Sequence, residues 1–90
     1  MIYNEGDLLI LESGEYSDFR YNGPSRVLKP FDQKEVSDEF VNGYVPNDND
    51  FYDMPDAGKF IAWLNTNGYI DYADCKTWYL GAYEFKPEII

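Results

Sequence analysis

The chain has 90 residues, 19% of them aromatic, and its seventeen acidic side chains stand against seven basic ones and no histidine, a formal charge of −10. Ninety residues make a single compact domain, 1–90, without room for a second core. The charge disfavours direct nucleic-acid binding and adsorption to an anionic membrane; it suits a basic protein partner or solubility alone.

Cys75 is the single cysteine, so no disulfide can close within the chain, and a reducing cytoplasm fits best. The first residues lack the basic start and long apolar stretch of a signal peptide, and the apolar run Leu8 to Leu11 is far too short to span a bilayer. A domain this small needs a dense core, and aromatics can supply it, since each buried ring removes about 150–250 Å² from water. Nine of the seventeen aromatics are Tyr. Their hydroxyls need polar partners, which places many of them at the rim of the core or on a contact face.

In chain order, Asp7 to Glu12 is a continuous apolar run closed by Ser13-Gly14, and it reads as a strand buried on both faces and central in a sheet. Phe19 and Tyr21 alternate with Asp18 and Arg20, the period of a half-exposed strand. Asn22-Gly23-Pro24 breaks that run and Arg26 to Lys29 resumes it, which predicts a hairpin or a bent strand. Asp32 caps a helix over Gln33 to Asn42, with Glu35 in the capping-box position and Gly43 as the stop. Tyr44 to Tyr52 is dense in turn formers and reads as a surface loop. A second helix begins after Asp53, with Pro55 in its first turn and an apolar face of Phe60, Ile61, Trp63 and Leu64, and ends at Asn67-Gly68.

Tyr69 to Tyr72 reads as a short strand and Ala73-Asp74-Cys75 as a turn. Lys76 to Tyr83 reads as the returning strand of a hairpin, interrupted by Gly81. For the tail from Phe85 to Ile90 the pattern leaves docking and fraying equally open. The order predicts an α+β fold: an antiparallel sheet of about four strands with the two helices packed on one face.

Without His, the usual proton-shuttling base is absent, and with it the Ser-His and Cys-His nucleophile pairs. Cys75 lies between Asp74 and Lys76, whose effects on a thiolate oppose each other, so it reads as structural. No phosphate-cradling glycine motif occurs. Asp48, Asp50 and Asp53 with Asn47 and Asn49 form the densest group of oxygen ligands. The calcium-loop pattern fails there, because Asp53 stands where Gly is required and Lys59 where the bidentate Glu belongs. A turn with solvated acids and a helix cap at Asp53 is the simpler reading. The expectation is a non-enzymatic chain with no metal and no cofactor.

The acids cluster in two groups. Asp48, Asp50, Asp53 and Asp56 lie within nine residues, interleaved with Phe51 and Tyr52, while Asp32, Glu35, Asp38 and Glu39 line the opening and outer face of the first helix. Either these ten residues make one negative, aromatic surface touched by a basic protein, or they are two solvated faces without a partner. In the first case carboxylates take the places that phosphates would occupy on a nuclease or other DNA-binding protein, which is DNA mimicry.

The blocks Leu9 to Asp18 (LILESGEYSD), Phe60 to Leu64 (FIAWL) and Trp78 to Tyr83 (WYLGAY) resemble small, uncharacterised acidic proteins of phages and prophages. The resemblance implies a bacterial host cytoplasm and action against host enzymes, in the manner of anti-restriction or anti-CRISPR proteins, with which the chain shares size and acidity. It carries over no catalytic residue. The expected function is an acidic protein-binding module that inhibits or modulates a basic, nucleic-acid-handling host protein. The alternative is a small structural or adaptor protein whose exposed aromatics make a symmetric homodimer. A third class, a small hydrolase or sugar binder, requires a pocket of convergent carboxylates with raised pKa.

Overall fold

The computed structural model describes residues 1–89. The elements are β1 (Ile2–Tyr3), β2 (Leu8–Ser13), a 3-10 turn (Tyr16–Asp18), β3 (Arg20–Val27), β4 (Phe31–Asp32), α1 (Gln33–Asn42), α2 (Ala57–Thr66) and β5 (Ile70–Tyr72). The fold is α+β, but the strands form two antiparallel sheets and not one of about four strands. One pairs β1 with β4, and the other has the order β2-β3-β5.

β3 is therefore central and β2 is an edge, the reverse of what its apolar run predicts. Burial alternates along β2: Leu9 and Leu11 turn inward while Leu8 and Ile10 face solvent. A run of four apolar residues does not say how many faces of a sheet are covered, and here only one is.

Asn22-Gly23-Pro24 does not end β3. Leu9 pairs with Ser25 and Leu11 with Asn22, so Gly23 and Pro24 together oppose the single residue Ile10. That is a β-bulge. Pro24, which has no N–H to give the ladder, is tolerated there. Gly23 sits at φ +131°, and a Cβ on it would lie 2.7 Å from the Leu9 carbonyl oxygen. Of the two sequence expectations, the bent strand is the one that forms.

α1 spans the predicted residues, and the Asp32 carboxylate accepts the N–H groups of Lys34 and Glu35 at 3.0 and 3.1 Å. The start of α2 is displaced. Its cap is Asp56, accepting from Lys59 N–H at 2.8 Å, and not Asp53. The helix ends in a Schellman motif, with Tyr69 N–H on the Leu64 carbonyl and Gly68 N–H on that of Asn65. Gly68 takes the left-handed conformation this needs, at φ +75°.

The core is small: Val27, Phe31, Val36, Leu64 and Ile70, with Tyr3, Leu9, Leu11, Phe60, Trp63 and Tyr69 packed around it. The inward face of the β2-β3-β5 sheet thus meets both helices. A chain of aromatic contacts runs through the molecule: Tyr3 to Phe31, Phe31 to Tyr69, Tyr69 to Trp63, Trp63 to Phe40, and Phe40 to Tyr44, with centroids 5.4–5.8 Å apart. Those geometries are edge-on, tilted or stacked, as ring quadrupoles favour. Tyr3, Tyr44 and Tyr69 sit half-buried at the rim, and the other six tyrosines are exposed.

Beyond Tyr72 the predicted turn and returning strand do not form; residues 73–80 carry no strand. No helix among the described residues is long and apolar enough to cross a membrane.

Candidate functional site

Six of the ten acidic and aromatic positions lie between the two helices, and the organiser of this loop is Asp53. This carboxylate accepts the Tyr44 hydroxyl, the Asn47 backbone N–H at 2.6 Å and the Lys59 ammonium at 2.9 Å. Its side chain is only 17% exposed. Tyr44, then Asn47 and Lys59, hold its carboxyl well below the usual carboxylate range. Asp53 first, and then Tyr44, push Lys59 above the ordinary lysine value. Lys59 also donates to the Met54 carbonyl at 2.9 Å and lies 3.6 Å from Asp56.

Between these anchors the chain turns tightly. Asp50 N–H donates to the Asn47 carbonyl at 2.9 Å, Asn49 N–H to the Asn47 side chain at 3.0 Å, and Tyr52 N–H to the Asp50 carboxylate at 3.0 Å. Such side-chain-to-backbone bonds are the reason Asn and Asp dominate turns. The turn places Phe51 and Tyr52 outward, 91% and 80% exposed, with the rings edge to face at 5.4 Å. Asp48 lies exposed beside them.

On α1 the acids are mostly engaged within the chain. Asp32 caps the helix and lies 3.4 Å from the terminal ammonium; the Glu35 N–H is the largest of the effects that hold its carboxyl low. Asp38 pairs with Lys34 at 2.7 Å, and Glu39 accepts the Tyr69 hydroxyl at 3.3 Å. Glu35 is exposed in the first turn. A groove of about 250 Å³ lies between the helices, where Ser37, Phe40 and Val41 of α1 face Pro55, Asp56 and Phe60; of the ten acidic and aromatic positions only Asp56 lines it.

The sequence pattern therefore locates the loop but not its division of labour. Asp53, Asp56, Asp32 and Asp38 serve the fold, whereas Asp48, Phe51, Tyr52 and Glu35 face outward. Tyr44 and Lys59 escape sequence reasoning, because a tyrosine nine residues before its carboxylate has no periodic signature. The carboxylates of Asp48, Asp50 and Asp53 do not converge, and among the described residues no group of three His, Cys, Asp or Glu side chains can hold a metal ion. No protein-family model, curated protein or solved structure matches this chain.

Proposed function

We propose that this chain is a non-enzymatic, phage-type binding module of the bacterial cytoplasm that inhibits or modulates a basic, nucleic-acid-handling host protein. The observation that carries the reading is the pair Phe51 and Tyr52, held almost fully in solvent by a loop whose own carboxylates brace it. Large rings are the side chains that dominate interface energetics. Presenting them on a braced turn lowers the ordering cost that a flexible loop would bear on binding.

The surplus charge has a separate task. A formal charge of −10 steers a basic groove toward the chain from a distance, and that attraction weakens as salt rises past ~0.15 M. Asp48, Glu35 and the outer oxygens of Asp50 then meet cationic side chains that otherwise hold phosphates. Both shifted carboxyls, Asp32 and Asp53, move downward, the direction of groups that stay ionised and not of a general acid.

The test is capture from bacterial lysate at low and high salt, followed by purified binding of whatever DNA-handling protein is recovered. Duplex DNA is expected to compete. Phe51→Ala with Tyr52→Ala should weaken binding at least tenfold at any salt, and Asp48→Lys with Asp50→Lys should weaken it chiefly at low salt. Binding that is indifferent to all four changes, or that coexists with bound DNA, sinks the mimicry reading.

A further inference from the structure

A compact chain of this mass exposes roughly 5,400 Å² of surface, whereas this one exposes 7621 Å². Its Cα radius of gyration is 17.1 Å, against about 12 Å for a globule of the same length. Residues 74–89 show where much of the excess lies. Trp78, Tyr79, Leu80, Tyr83, Phe85 and Ile89 are all exposed. The last tie to the body is Ala73 N–H on the Pro24 carbonyl at 3.0 Å. Among the described residues no hydrogen bond, ion pair or ring contact joins 74–89 to what precedes it.

This segment is nevertheless shaped. It doubles back on itself, with Lys86 N–H on the Leu80 carbonyl at 3.0 Å, Glu88 N–H on that of Tyr79 at 2.9 Å, and the Trp78 indole N–H on the Glu88 carbonyl at 2.8 Å. It is an apolar arm with a conformation of its own.

The body has a matching deficit. Val27 and Ile70, on the β5 side of the sheet, are sealed, whereas Leu9 and Leu11 on β2 are only half-buried. Beside them a trough of about 270 Å³ is lined chiefly by Leu9, Leu11, Phe31, Val36, Phe60 and Leu64, and no charged residue lines it. β2 is also a sheet edge, with main-chain groups open to a further strand.

We infer that two copies of this chain exchange arms, residues 74–89 of each lying along the β2-side trough of the other. The area argues for a second copy. The excess is roughly 2,200 Å² per chain, and stable homodimers bury about 2,000–5,000 Å² in total, so covering half of it on each copy is enough. Charge points the same way. The arm holds two lysines and three acids, almost neutral, while the acidic surplus lies on the body. A basic partner is drawn to the acidic faces of the body and not to its uncharged trough. Two equivalent arm–trough contacts also close a twofold pair with no surface left to propagate. The inference is independent of the proposed function, since the trough does not include loop residues 47–53.

The experiment is the solution mass of the full chain, by light scattering over a range of concentration and at ~0.05 and ~0.5 M salt. A dimer of twice the 10.5 kDa chain is expected at both salts. Trp78→Ser with Phe85→Ser should weaken it at least tenfold while leaving the melting transition of the dissociated chain unchanged, because among the described residues no hydrogen bond, ion pair or ring contact ties the arm to its own body. Leu11→Asn should weaken it as well, and mixing that variant with the arm variant should restore a heterodimer through the one intact contact. If Leu11→Asn fails to fold, the arm variant alone decides. A monomer at every concentration, a dimer that ignores the arm changes, a dimer that falls apart as salt rises, or an arm packed on its own trough would each overturn the inference.

Discussion

Lys59 reaches back from the first turn of α2 to place its ammonium 2.9 Å from the Asp53 carboxylate, tying the helix to the loop that precedes it. Tyr44 reaches the same carboxylate from the end of α1, and its ring rests 5.8 Å from that of Phe40. The exposed pair Phe51 and Tyr52 is thereby coupled, through one carboxylate and one ring, to the aromatic contacts of the core.

Asp53→Asn should loosen this loop without unfolding the domain. The amide keeps an acceptor for Asn47 N–H but loses the charge that holds Lys59. Hydrogen exchange at the Asn47 and Asp50 amides is expected to accelerate several-fold, while the Val27 and Ile70 amides keep their protection. Equal acceleration at all four sites would mean that the loop and core open together.

The loop should also persist into moderate acid. Asp53 has its native pKa below its unfolded value, near 3.9, through the Tyr44 hydroxyl first, then Asn47 and Lys59. A depressed carboxyl stabilises the native state fully above the unfolded value, and the contribution disappears as pH falls through the native one. The Asn47 amide resonance is expected to hold its position down to about pH 4 and to shift in stronger acid. Tyr44→Phe should move that change to higher pH; an unchanged profile would remove Tyr44 as the main cause.

In alkali two tyrosines should ionise late. Tyr44 is raised above the usual value near 10 by its bond to Asp53, and Tyr69 by burial and then by Glu39. Raised groups stabilise the native state fully below the unfolded value and lose that effect as pH climbs through the native one. Titration of the phenolate absorbance should show a late phase, with Tyr44→Phe and Tyr69→Phe each removing part of it. A single sharp phase unaltered by either change would count against both hydrogen bonds.

Leu64 and Leu8 should respond very differently to truncation. Leu64 is 1% exposed at the centre of the core and Leu8 is 60% exposed on the outer face of β2. Leu64→Ala is expected to cost about 2–5 kcal/mol, and Leu8→Ala within about 0.5 kcal/mol of nothing. Urea unfolding measures both. Comparable losses would show that the outer face of β2 is covered in solution.

What the amino-acid sequence by itself determined is local. The span of α1, its Asp32 cap and the end of α2 at Asn67-Gly68 follow from bonds between residues two to five apart, and such spacings are visible in a string of letters. The turn-forming character of residues 44–52 follows for the same reason. The cap of α2 marks the boundary of that legibility: Asp53 and Asp56 both satisfy the pattern, and Asp53 is diverted because Tyr44, just past α1, and Lys59, in the first turn of α2, converge on it.

Tertiary structure decided everything that depends on a distant partner. Ile10 opposite Gly23 and Pro24 turned a break into a bulge, so β3 became the central strand and β2 the edge. The helices covered one face of β2 and left the other in water, a difference that an unbroken apolar run cannot encode. Which acids brace the fold and which face outward was decided in the same way, because a carboxylate is committed only when a donor from elsewhere in the chain arrives beside it.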